Sequence, residues 1–322
     1  MQPSRRAFLL GRAAPRTPWQ VFCRELGRVC GGDLKPISPD ALPPSAAPQA
    51  RWAPLVGADV RRARALCAEH GVQLALSDTT VSTEGRPVLW VDPVWLNDLV
   101  REPGPVPRWR TGPGVTLGAL AGVGLRQFAG APPDRTLAAW LGDRGAATWP
   151  TGRGDLSGVH AADVLLADGV ADTLGPFGAD DGLPLRTAAL QQLVPALFRL
   201  ASGTEAQWCK ELPSWPAHYR MDALLPRAPA TLNLAHLLHG HAGTLAWVES
   251  VVLQMPEGES APADADAAKG GGPSPRADAG EGRGQPANAG GADGQLPPAQ
   301  ARALDRRVKS NFDPAGVFPE LA

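Results

Sequence analysis

Between Glu257 and Gln295 the chain contains no Val, Ile, Leu, Met, Phe or Trp. The tract is mostly Gly, Ala, Pro, Asp and Glu, and it cannot bury enough apolar area to offset the entropy lost on ordering. Apolar patterning resumes at Leu296–Ala322. Any core must therefore be assembled from two pieces of sequence, with the second returning to the first across a stretch that builds nothing. This divides the chain into an N-terminal arm and connector at 1–55, a folded body at 56–256, a low-complexity linker at 257–296, and a docking helix and tail at 297–322.

The body is large enough for a full core. Net charge is -1 with no basic stripe, which argues against a nucleic-acid partner. No apolar run approaches the length of an integral membrane segment. The cysteines, Cys23, Cys30, Cys67 and Cys209, form no CxxC pair, so neither a zinc site nor an iron–sulfur site is indicated, and reduced thiols are expected. Ser4-Arg5-Arg6-Ala7-Phe8-Leu9-Leu10 matches a twin-arginine export motif. Arg12, Pro15, Arg16 and Pro18 then interrupt the apolar segment that export requires, so a cytoplasmic location is expected, with periplasmic export as the alternative.

Periodicity supplies the elements. Residues 31–55, rich in Pro, Ala and Ser, read as a connector. Asp59 is the expected cap of a helix ending at Gly71. Val72–Leu76 and Pro87–Asp92 read as strands, with a short helix expected around Trp95–Leu99. Thr116 is a plausible N-cap for a segment reaching Leu125, and Thr136–Leu141 looks helical. Ala161–Ala167 and Val170–Leu174 read as a hairpin turning at Asp168-Gly169. Leu185–Ser202 has the clearest helical spacing, with a kink expected at Pro195. Leu232–Leu238 reads as helix, Thr244–Met255 as strand and Pro298–Asn311 as a docking helix. This is an α+β alternation with at least part of the sheet covered by helices.

Several blocks, in this order, resemble one family. ADVLLADG, within Ala161–Gly169, is similar to a strand and turn written VVLADG. LLHGHAGTLAWVESVVLQM, at Leu237–Met255, resembles LLVGSEGTLGVITEVTLRL. HYRMDALL at His218–Leu225 resembles GYxLDALL, PGVTLGAL at Pro113–Leu120 lies in register, and VKSNFDPAGVFP at Val308–Pro319 resembles LKxxFDPxGIFNPG. The family is the FAD-linked oxidases with a PCMH-type, vanillyl-alcohol-oxidase-like flavin domain: glycolate oxidase FAD-binding subunits, D-lactate dehydrogenases and their relatives. The resemblance implies two α/β subdomains with non-covalent FAD between them. It also implies a cap domain between Met255 and Leu296, where this chain has only the linker. A partner subunit would then supply the cap or accept electrons, and the substrate would be a small 2-hydroxy acid. A degenerate scaffold acting in assembly is the alternative.

Pyrophosphate binding favours glycine-rich loops that let backbone N–H groups approach the anion. The family's RGGGTS-like loop corresponds to Ser77-Asp78-Thr79-Thr80-Val81-Ser82, which offers the hydroxyls of Ser77, Thr79 and Thr80 but no glycine. The TIGG-like segment corresponds to Thr136-Leu137-Ala138-Ala139, with its glycines gone. The resemblance further implies cofactor contacts at Pro113 and Gly114, at Gly152, Gly154 and Gly158, and at Gly240, Gly243 and Thr244. His241, which replaces a family Ser, is the one histidine to test for a catalytic role. His236, His239 and His241 form HxxHxH, but no carboxylate at suitable spacing completes a metal site. No His or Cys stands where a covalent flavin link could be assigned.

Overall fold

A computed structural model describes residues 17–43, 46–83, 85–178, 184–256 and 299–322. The twin-arginine-like segment and the whole linker at 257–296 lie outside the described residues.

The first unit is a four-stranded sheet in the order β1-β2-β5-β3. β2 (Gln49–Ala53), β5 (Val88–Val91) and β3 (Gln73–Leu76) run parallel, with β1 (Asp33–Pro36) antiparallel at the edge. Helices α1 (Pro18–Val29) and α2 (Gly57–His70) cover it. Phe22 and Leu26 of α1 and Val60, Ala63 and Cys67 of α2 share one core with Trp52, Leu74 and Leu89. Strands buried by helices carry continuous apolar runs, as β3 and β5 do.

The connector expected at 31–55 is part of this unit. β1 and β2 are short, with Pro and Ala around them, and β2 is held between β1 on one side and β5 on the other. α2 begins at Gly57 and ends at Gly71, which adopts φ 66°. Asp59 lies inside its first turn, where the carboxylate accepts the Gly31 N–H at 2.9 Å and an Arg62 N–H at 2.6 Å.

The second unit is a five-stranded antiparallel sheet, β6-β7-β10-β8-β9. Its strands are β6 (Leu99–Glu102), β7 (Arg108–Thr111), β8 (Val159–Leu165), β9 (Ala171–Leu174) and, at the centre, β10 (Trp247–Gln254). The short helix expected around Trp95–Leu99 is not formed: residues 92–98 are turn and extended chain leading into β6, which begins at Leu99. Asp168 accepts the Val170 N–H at 2.9 Å and Gly169 takes φ 90°, closing the hairpin. Thr116 and Thr136 cap α3 (Leu117–Gly122) and α4 (Leu137–Gly142), each accepting an N–H three residues on. Helix α5 (Ala188–Ala201) runs through Pro195, followed by α6 (Thr204–Lys210). Leu234–Leu238 is a short 3₁₀ helix.

After the linker, α7 (Ala299–Phe312) packs on α5 and α6, burying Leu304, Val308 and Phe312. The tail then crosses back to the first unit. Val317 accepts the Leu74 N–H at 2.9 Å, and β11 (Glu320–Leu321) pairs with β4 (Val81–Ser82). Among the described residues no helix is long and apolar enough to cross a membrane.

Candidate functional site

The two units meet along a seam built from the C-terminal end of β3, the first turn of α4 and the turn between the Leu234–Leu238 segment and β10. Leu76, Ala138, His241, Gly243, Ala246, Trp247 and Val248 line it. Gly240 donates its N–H to Leu141 at 2.8 Å, and Ala242 donates to Gly142 at 2.9 Å. Gly243 takes φ 73°, and a methyl group added there would lie 2.7 Å from Leu76 Cβ. The turn therefore needs glycine both for its backbone conformation and for this close approach. Thr244 Oγ1 donates to the His241 carbonyl at 2.6 Å and lies 2.7 Å from the Tyr219 hydroxyl.

The tail locks this turn. Lys309 Nζ donates to the Thr244 carbonyl at 2.8 Å, to the Phe318 carbonyl at 3.1 Å and to Asp313 at 2.6 Å. Asp313 accepts the N–H groups of Val317 and Phe318. Both charged side chains are at most 5% exposed, so each depends on the other and on these backbone partners.

The loop after β3 also closes on itself. Ser77 donates its N–H to Val91 at 2.9 Å, and Thr79 Oγ1 donates to the Leu76 carbonyl at 2.7 Å. Asp78, at φ 61°, pairs with Arg51 at 2.9 Å, while Thr80 is exposed. Pro113 accepts the Ala138 N–H at 2.9 Å, so the Pro113-Gly114 turn and the Thr136 cap lie beside the seam. A Cβ on Gly114 would meet the Pro93 carbonyl at 2.0 Å.

Thus Ser77, Pro113, Thr136, His241, Gly240, Gly243 and Thr244 come together. Gly152, Gly154 and Gly158 are engaged elsewhere. Gly152 donates to Asp222 at 2.7 Å, a Cβ on Gly154 would strike the His236 ring at 2.6 Å, and Gly158 accepts the Gln254 N–H at 2.8 Å. Their role here is close backbone packing against the Arg220–Asp222 pair and the end of β10. That pair, 2% exposed on both sides, was invisible as a motif, because two residues of spacing carries no periodic signal. The Lys309–Asp313 pair had one: its i,i+4 spacing.

Burial depresses four of the histidines. Burial pushes His241 down to about 3, with His218 adding to it, and pushes His218 down to about 4, with Arg144 adding. Burial also lowers His236, and sets His239 well below the usual range. His236 Nε2 lies 2.9 Å from the Val159 carbonyl. Among the described residues no group of three metal-ligating side chains comes together.

FAD does not fit this seam as it stands. The pocket lined by these seam residues is about 10 Å³, whereas pockets for ligands smaller than a dinucleotide run roughly 300–1,000 Å³. Leu76 and Gly243 fill the gap by direct contact. One observation points the other way: Ser77 Oγ, His241 Nδ1 and Trp247 Nε1 are buried at or beside the seam without hydrogen-bond partners.

No family model and no curated protein matches the sequence. Solved structures resemble it distantly. A mutant of cholesterol oxidase from Brevibacterium sterolicum is 13% identical, with a TM-score of 0.39 over 75% of this chain and 40% of that one. Glucooligosaccharide oxidase from Acremonium strictum, whose FAD is attached through cysteinyl and histidyl side chains, is 14% identical with a TM-score of 0.39, over 72% and 42%. For 4-ethylphenol oxidase from Gulosibacter chungangensis the values are 12% and 0.43, over 76% and 44%. The chain spans less than half the length of each of these three oxidases. Likeness this low transfers neither a residue role nor an activity.

Proposed function

We propose that the chain is built on the flavin domain of the FAD-linked oxidases, with the cofactor seam closed, and that it serves as an interaction or assembly subunit without holding FAD. The family-like sequence blocks support the ancestry. The observation that carries the functional reading is the close approach of Leu76 and Gly243, beside a pocket of only about 10 Å³ at the seam to which the resemblance assigns the cofactor. The purified full-length protein is expected to be colourless, with no quenching of FAD fluorescence on titration. Stoichiometric yellow flavin, or saturable FAD binding, would refute the reading.

The unpartnered Ser77, His241 and Trp247 atoms favour a second reading. In it, the units part to admit non-covalent FAD, and the chain is the FAD-binding subunit of a 2-hydroxy-acid dehydrogenase, with a partner protein supplying the cap or accepting electrons. The same spectrum decides, followed by bleaching with glycolate or D-lactate. In either case we place the protein in the cytoplasm, and a cleaved, exported form would contradict this.

A further inference from the structure

A second cavity lies where α7, the His218-Tyr219 segment and the β4–β11 pair meet, next to the seam turn, which Tyr219 and Lys309 reach through Thr244. Its volume is about 500 Å³, within the range of pockets that take small organic ligands. Arg302 and Arg306 of α7 both line it, four residues apart and so on one helix face. Both are exposed, and among the described residues no acceptor or carboxylate pairs with either. The neighbouring Arg307 differs: it is committed to Glu205 at 3.2 Å and does not line the cavity.

The other charges on the wall are largely spoken for. Lys309 is held by Asp313. Asp305 accepts the N–H groups of His218 and Tyr219 at 3.0 and 2.9 Å. Glu320 forms no ion pair among the described residues and opposes the guanidinium groups from the β11 side, where Leu321 and Ala322 also line the wall. His218 also lines the cavity, and its Nε2 is buried without a partner. Burial lowers His218 to about 4 and raises Asp305 to about 6, so two displaced ionisations flank the same space. Unpaired guanidinium groups present rigid forks of donors that match carboxylate and phosphate oxygens.

We propose that this cavity binds a small organic anion, its carboxylate or phosphate held by Arg302 and Arg306 and its uncharged body lying toward His218 and Tyr219. Arg302 and Arg306 take no part in lining the seam pocket.

The test is calorimetric titration of the full-length protein at pH 7.5 with benzoate and with phenyl phosphate, and with benzyl alcohol as the uncharged control. At least one anion is expected to saturate at concentrations up to about 10 mM, the weak end of small-ligand affinity. Benzyl alcohol should bind about tenfold or more weakly. The double variant Arg302→Gln/Arg306→Gln should lose about tenfold in affinity with its melting temperature unchanged, whereas Arg307→Gln should bind like the parent. Preference between the two anions identifies the head group. The proposal fails if neither anion binds, if the alcohol binds as well, or if Arg307→Gln loses as much affinity as the double variant.

Discussion

Lowering the pH from 7.5 to 5 should destabilise this protein by several kcal/mol, and the buried histidines set the sign. His218 and His241 have native pKa values of about 4 and about 3, below the ordinary value near 6.5. Their contribution is complete above pH 6.5. Below it the unfolded chain takes up protons that the native state refuses, and stability falls until the native pKa is reached. At pH 5 the gap is 1.5 pH units below the unfolded value, worth about 2 kcal/mol for each histidine at 1.36 kcal/mol per unit.

Asp305 works in the opposite sense. Its native pKa of about 6 lies above the unfolded value, so protonation at pH 5 favours the native state by roughly 1.4 kcal/mol. The net from these three groups is a loss of about 3 kcal/mol, and His236 and His239, also depressed, deepen it. Urea unfolding at pH 7.5, 6.5, 5.5 and 5.0 measures the slope directly. His241→Phe should flatten that slope by about one proton between pH 6.5 and 5. Stability that is constant or rises as the pH falls from 7 to 5 would refute the argument.

Other perturbations have equally definite outcomes. Lys309→Met removes one member of a buried pair and leaves Asp313 uncompensated, so chemical denaturation should report a loss of about 3–5 kcal/mol. Gly243→Ala places a methyl 2.7 Å from Leu76 Cβ at φ 73°, and thermal unfolding should show a cost of about 1–3 kcal/mol. A companion Leu76→Ala change should recover part of that cost by making room. Thr136→Ala removes the cap of α4 and should cost about 1 kcal/mol by the same measurement. Unchanged stability in any of these would contradict the contact it rests on.

Much of the local structure was legible from residue type. Gly71 ends α2 in the left-handed region, Thr116 and Thr136 cap their helices, and Asp168-Gly169 turns the β8–β9 hairpin. These features depend on neighbours a few residues away, and short-range chemistry suffices to predict them. β1 and β2 were not legible, because four- and five-residue strands among Pro and Ala gain their stability from pairing with chain that arrives later. The helix expected at Trp95–Leu99 failed for a related reason. There the chain is held by the Gly112 and Gly114 N–H groups, which donate to Asp98 and Leu96.

The sequence by itself determined that the core is made from two pieces and that the tail must dock, since the tract from Glu257 to Gln295 has no Val, Ile, Leu, Met, Phe or Trp to bury. Some of the residues singled out through the resemblance, His241 and Gly243 among them, lie at the seam, while Gly152, Gly154 and Gly158 do not. Only the tertiary structure decided that Leu76 and Gly243 meet across that seam and shut it. It also decided that Lys309 and Asp313 pin the tail there, and that Arg302 and Arg306 stand unpaired over an open cavity. Those outcomes depend on distances between residues far apart in the chain, and no pattern of spacing along one segment contains them.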